Sequence, residues 1–101
     1  MALKFRLEPD LLVAEIAGDI DHHSAAELKD RITTEYKRGT ARNIELDFSR
    51  VTFMDSSGVG MVIGRYKEAA ERGGTLYVSG LSNEVGRLFE LSGLHKIVGV
   101  K

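Results

Sequence analysis

Apolar residues change period several times along this chain, and each change marks an element. Leu3, Phe5 and Leu7 alternate with Lys4, Arg6 and Glu8, which predicts a strand with one wetted face. Glu8-Pro9-Asp10 is turn chemistry, since Pro9 fixes φ and offers no N–H to a ladder. Leu11 to Ala17 (LLVAEIA) is nearly continuous, as in a central strand covered on both faces, and Gly18-Asp19-Ile20-Asp21 ends it. Ser24 and Glu27 read as a Ser-x-x-Glu capping box, after which Ala25, Leu28, Ile32 and Tyr36 mark one helix face. Gly39 suits the position just past that helix.

Period 2 returns at Asn43 to Phe48 (NIELDF), where Ile44, Leu46 and Phe48 share a side. Seven residues, Ser49 to Asp55, then lead to a helix from about Ser57 to Arg72, with Val59, Ile63, Tyr66 and Ala70 at helical spacing. Gly73-Gly74 breaks the chain, and Thr75 to Ser79 (TLYVS) is a short β-branched and aromatic strand. Ser82 or Asn83 can cap a helix carrying Val85, Leu88 and Phe89, closed by Gly93, and Ile97, Val98 and Val100 give a last strand. The order is β-β-α-β-α-β-α-β. Helices between strands imply right-handed crossovers, so the expected class is α/β: a mixed, mainly parallel sheet of four to five strands with helices packed on it.

Composition narrows the function classes. At 101 residues the chain is read as one domain, long enough for a core without staples. Lys and Arg number 14 against 15 Asp and Glu, so no large field attracts nucleic acid or an anionic membrane. Absence of cysteine removes disulfides, thiolate metal sites and cysteine nucleophiles, and fits a reducing cytoplasm. No apolar run approaches the roughly 20 residues of a spanning helix, and the N-terminal MALKFRLEPD is no signal peptide.

The richest stretch is Val51 to Gly60, VTFMDSSGVG. Asp55, Ser56 and Ser57 fall where a strand's connection becomes a helix's first turn, a place where side-chain oxygens accept unpaired N–H groups and negative charge is tolerated. Either Asp55 or Ser56 could serve merely as the cap. Capping explains less well why Val59, Met61, Val62 and Ile63 follow at once, since four such residues cannot all face one core. Part of that apolar surface is then open to a partner, or the helix is buried on two sides. Asp21 also ends a strand before a helix, so in a parallel sheet it shares one edge with Asp55, Ser56 and Ser57.

Two enzyme readings fail. Gly58-Val59-Gly60 with Gly64 nearly forms a dinucleotide fingerprint, but the expected strand ends seven residues before the serines, and the next strand closes in Tyr77-Val78-Ser79 without an acidic residue for a ribose. These glycines are better explained by close packing or partner approach. Asp21, His22, His23 and Ser56 do not make a hydrolase triad either, because Asp-Ser-Ser-Gly is not a Gly-x-Ser-x-Gly elbow. Adjacent His22 and His23 lack the i, i+4 spacing of helical metal ligands and suit exposed positions at a helix start. No catalyst, cofactor or metal is expected.

Gly18-Asp19-Ile20-Asp21-His22-His23, Phe53-Met54-Asp55-Ser56-Ser57-Gly58-Val59-Gly60, Gly64-Arg65-Tyr66-Lys67, Arg87-Leu88-Phe89 and Leu91-Ser92-Gly93-Leu94 together resemble the bacterial anti-sigma factor antagonists, single STAS domains, and among them the sporulation antagonists of the sigma-F pathway most. The resemblance covers nearly the whole chain in order. It implies that the serine directly after the aspartate, Ser56, is phosphorylated by an anti-sigma factor that is itself a serine kinase. It further implies that the unphosphorylated form binds that kinase and frees a sigma factor, that a serine phosphatase resets the switch, and that the domain is a monomer when free. Asp21 matches a position that contacts the kinase, and the expected docking surface is Asp21, His22, Asp55, Ser57, Gly58, Val59 and Met61. A scaffold subunit of a stress-signalling complex, served by a different kinase, would share the same serine. Val59 stands where the family usually has leucine, and sporulation antagonists usually continue into a further helix beyond the point matching Lys101.

Overall fold

A computed structural model describes all 101 residues. Strands β1 (Ala2–Glu8), β2 (Leu11–Ile20), β3 (Asn43–Met54), β4 (Leu76–Ser79) and β5 (Gly99–Val100) form one sheet in the order β1-β2-β3-β4-β5. β1 is antiparallel to β2, and the other neighbours are parallel. Helices α1 (His22–Arg38), α2 (Ser56–Glu71) and α3 (Asn83–Ser92) make the three crossovers. Because each crossover steps to the next strand in the same direction, right-handed connections put all three helices on one face. The element order is as expected from the sequence.

The covered face carries the core. Ile16, Ile20, Ile44, Leu46, Phe48, Leu76 and Val78 of the sheet meet Leu28 and Ile32 of α1, Val62 of α2 and Phe89 of α3, all essentially without exposure. Phe48 and Phe89 meet edge to face, with centroids 5.8 Å apart. The other face is largely polar, and Val13 lies on it. It is fully buried although it lies outside the main core cluster, flanked in register by Arg6 and Glu45. Around it Arg6 pairs with Glu8 and Glu15, and Lys101 pairs with Glu45 at 2.7 Å over the Tyr77 ring. The continuous apolar run of β2 thus reflects one strand covered by helices on one side and by charged side chains on the other.

Several boundaries differ from the sequence expectation. β2 continues to Ile20 and β3 to Met54, beyond the apolar alternation, because each extension still pairs in the sheet, with a register shift between Gly18 and Asp19. Leu94–Lys96 forms a 3₁₀ turn, which leaves only Gly99–Val100 as the last strand. Gly93 closes α3 in the left-handed region at φ 80°, where it costs a glycine nothing. Gly80, at φ 69°, lies so close to the Ser49 backbone that no side chain fits.

The end of α1 is closed by a residue that no pattern reveals. Arg72, the C-cap of α2, donates from Nη1 to the carbonyls of Tyr36, Gly39 and Ala41 at 3.0–3.2 Å and lies 4.2 Å over the Tyr36 ring. One guanidinium therefore satisfies carbonyls that a helix end leaves unpaired and ties two helices together. Replacing Arg72 by Met is expected to lower stability by about 1–3 kcal/mol, and Lys should restore only part because an ammonium lacks the planar fork. Urea denaturation checks this, and an unchanged midpoint in Arg72→Met would refute it.

Ionic contacts also set an acid limit. Asp10, in the turn between β1 and β2, holds the start of β3 by accepting from the Arg42 guanidinium at 2.7 Å and 2.9 Å and from the Arg42 N–H at 2.9 Å. These bonds hold its carboxyl below the usual carboxylate range. Burial pushes Glu45 up, but hydrogen bonds from Lys101 and Ser79 outweigh it and the net shift is downward. A carboxylate whose native pKa is lowered stabilises the fold above its ordinary value and loses that contribution as pH falls through the lowered one. Unfolding midpoints should therefore be flat near neutrality and decline below about pH 4.5, the ordinary value for Glu45. Asp10→Asn should make the decline shallower; an identical pH profile would show that the Arg42 contact contributes nothing.

Candidate functional site

Ile20 and Met54 are partners in the β2–β3 ladder, and both are buried. The residue after each is an aspartate, and the residue after that begins a helix. Adjacent strands lie about 4.8 Å apart, so the starts of α1 and α2 are held side by side at the carboxyl edge of the sheet. The Asp55 N–H donates to the Ile20 carbonyl at 3.0 Å, which fixes this junction.

Each aspartate caps its helix. Asp55 Oδ1 accepts from the Ser57 N–H at 2.8 Å, so Asp55 is the cap and Ser56 is the first residue of the helix. Asp21 Oδ1 accepts from the Ser24 N–H at 2.9 Å, while Ser24 Oγ accepts from the Asp21 N–H at 2.9 Å. The capping box is thus Asp21 with Ser24, in place of the expected Ser24 with Glu27. The reason is that β2 runs to Ile20, so the helix starts at His22 and Ser24 becomes its third residue. Those bonds from Ser24 hold the exposed Asp21 carboxyl below its usual range. Asp21 serves folding as well as the surface.

The two serines differ. Ser56 is exposed, whereas Ser57 is half-buried and lines a groove between α1 and α2. Phe53, 48 % exposed at the end of β3, stands three residues before Ser56 and is an apolar surface residue that sequence patterning did not single out. Thr52, beside it, donates to Asp19 Oδ1. His22 is exposed at the start of α1, and Val59 is half-buried. Met61 and Gly58 are interior: Met61 is 4 % exposed, and a Cβ on Gly58 would meet Met54 and Ile20. The structure therefore brings Asp21, His22, Asp55, Ser56, Ser57 and Val59 to one edge, and places Gly58 and Met61 beneath it.

The buried side of α2 is Gly58, Met61, Val62, Arg65 and Ala69, with Val59, Ile63 and Tyr66 at the core margin and Ala70 exposed. This is a rotation from the expected stripe, because α2 packs on the sheet with α1 on one flank and α3 on the other. The dense apolar run reflects a helix covered on several sides. Nor does a loop separate β3 from the glycines. They lie inside α2, beyond the single turn residue Asp55, so a phosphate-cradling glycine turn is absent for that reason. No three His, Asp or Glu side chains converge as a metal site.

Comparison with known proteins decides the family. Residues 2–101 match the STAS domain model. The chain belongs to the STAS family. It is 33 % identical over 90 residues to an anti-sigma F factor antagonist of Paenibacillus polymyxa, covering 89 % of this chain and 77 % of that protein. To an anti-sigma-B factor antagonist of Staphylococcus aureus it is 34 % identical over 86 residues, covering 85 % and 79 %. The unphosphorylated anti-sigma factor antagonist SpoIIAA superposes with a TM-score of 0.86 at 31 % identity, covering 99 % of this chain and 88 % of the other. The phosphorylated form of the Bacillus SpoIIAA matches with 0.76 at 30 % identity, covering 99 % and 91 %. No helix of this STAS domain is long and apolar enough to cross a membrane.

Since Asp21 is the cap, Asp21→Ala should lower the melting temperature by about 4–8 °C, whereas Asp21→Asn should stay close to wild type because asparagine caps equally well. Calorimetry checks both. Equal melting of Asp21→Ala and wild type would remove the capping role.

Proposed function

We propose that this STAS domain is an anti-sigma factor antagonist whose unphosphorylated form binds an anti-sigma factor serine kinase and releases a sigma factor, and that phosphorylation of Ser56 switches it off. The observation that carries the proposal is the placement of Ser56: exposed, first in α2, with the Asp55 cap already bonded to Ser57 and leaving the Ser56 hydroxyl to solvent. Ser57 is the weaker acceptor because it is half-buried and turned toward α1. The resemblance of the site segment to antagonists, and relatives described in both phosphorylated and unphosphorylated form, support the reading.

Phosphate adds about −1.5 to −2 charge and three acceptor oxygens. At the N-terminus of α2 the domain itself tolerates that charge, since the exposed N–H groups and the macrodipole favour an anion. A docking kinase would instead meet new negative charge beside Asp21 and Asp55 and next to Phe53 and Val59, where repulsion and desolvation oppose association. The domain acts as ligand and substrate and not as catalyst. A serine phosphatase restores the binding form. Asp21, His22, Asp55 and Val59 form the docking surface, with Gly58 and Met61 supporting it from below.

Phosphopeptide mapping after incubation with a cognate kinase and ATP tests the proposal. Ser56→Ala should lose essentially all label while retaining its fold and kinase binding; label retained in that variant would overturn the assignment. Backbone chemical shifts of the phosphorylated and unphosphorylated forms test the surface mechanism. Changes are expected around Asp21 and Ser56 alone, and shifts spreading through β4 would mean a conformational switch instead.

A further inference from the structure

β1 is the long strand with a free edge. It pairs with β2 alone, whereas the strand at the opposite edge, β5, has only two residues. All seven residues of β1 pair with β2 in unbroken register, with no proline or bulge inside the strand to blunt its outer side. Such an edge offers a row of unpaired N–H and C=O groups to another strand. The helices also stop short of it. Leu7 and Leu12 are register partners on the helix-facing side, yet Leu12 is 4 % exposed and Leu7 is 70 % exposed. Phe5 is half-buried, and these three residues floor a groove of about 310 Å³ that the end of α1 borders at Tyr36 and Gly39.

The charges on the other side of β1 point to a second copy as the occupant. Lys4, Arg6 and Glu8 alternate with the apolar set and are exposed, and Lys4 has no ionic partner in its own chain. A second β1 added antiparallel, with both helix layers on one side, brings residues of the same parity opposite each other. Centring the pair on Arg6 sets Lys4 opposite Glu8 twice and Phe5 opposite Leu7 twice. Centring it on Phe5 would set Lys4 against Arg6, and centring it on Leu7 would leave only Arg6 to Glu8 to pair. The central Arg6 residues carry like charge, but each guanidinium is already held by its own Glu8 at 2.9 Å and Glu15 at 3.1 Å. A carboxylate has acceptor sites enough for Glu8 to serve both Arg6 and an incoming Lys4. The net charge of −1 adds little repulsion between copies.

We propose that the β1 edge is a self-association surface, at which two copies pair β1 antiparallel about Arg6 and join their five-stranded sheets into one. Leu7 of each copy is covered by Phe5 of the other, and the contact is two-fold, so it closes at the dimer. The paired length is short, which makes the dimer weak and reversible. It differs from the free monomer that the family resemblance implies. The groove borders the last turn of α1, whereas Ser56 lies beside its first turn, roughly 24 Å away along the helix. Both Ser56 edges therefore stay open in the dimer, and the proposal does not depend on the phosphorylation switch.

Sedimentation equilibrium of the full chain from about 10 µM to about 1 mM tests this. The weight-average mass should climb from monomer toward dimer. A mass that stays monomeric at the highest concentration overturns the proposal and leaves the edge to an extended segment of another protein. Lys4→Glu sets acid against acid and Glu8→Lys sets base against base, so each should dimerise at least about tenfold more weakly than wild type. Mixed in equal amounts, the two variants restore both pairs, and association should return to within about threefold of wild type. Leu7→Ser, at an exposed position, should weaken dimerisation at least about fivefold while melting like wild type. Single variants that dimerise as wild type does, or a mixture that stays monomeric, would rule out this pairing.

Discussion

The pairing of Ile20 with Met54 is the constraint on which the functional edge depends. Both side chains are buried, so a slip of one residue would turn each strand's apolar set to the wrong face. With that register fixed, one aspartate per strand is enough to turn the chain. Asp21 and Asp55 take their caps side by side, and α1 and α2 start together and run parallel. The exposed Ser56, the half-buried Ser57 and the groove beneath them all follow from that one juxtaposition.

The same arrangement separates two demands that often conflict. Stability comes from the sheet face under the helices, from the Phe48–Phe89 contact, and from Arg72 closing α1. Ser56 itself is exposed and outside that core, above the buried Ile20 and Met54 that anchor the edge. Under the proposed switch, a helix start that favours an anion would hold a phosphate on Ser56 without disturbing the domain, while changing what a partner meets. Exposed Phe53 and half-buried Val59 place apolar area next to Ser56, so the proposed phosphate would be costly for a docked surface alone.

Asp21 joins the two demands. It faces solvent at the shared edge, and it also holds the first turn of α1 through Ser24. A substitution there that disturbs partner binding can do so by removing a contact or by fraying the helix, and asparagine separates the two because it keeps the cap.

Much of this was legible in the sequence. Alternation in Leu3 to Glu8 and Asn43 to Phe48, the helical spacing of Ala25, Leu28, Ile32 and Tyr36, and the glycine closing α3 are local signals, so element order and class followed from them. The Met54-Asp55-Ser56-Ser57-Gly58 segment likewise marked a capped helix start, because capping chemistry is written in neighbouring residues. Tertiary structure alone decided the rest. β2 and β3 outlast their apolar patterns because pairing continues through register shifts that break the alternation while Ile20, Val51 and Met54 stay buried, and that extension moved the α1 cap from Ser24 to Asp21. The buried stripe of α2 is set by three neighbours at once, and its glycines carry no hydrophobic signal, so Arg65 and Met61 turned inward where periodicity placed Val59 and Ile63. Arg72 meets carbonyls more than thirty residues away, and no local pattern encodes such a contact. Local preference fixes which elements form; which side chains face one another depends on the register and packing of distant strands and helices.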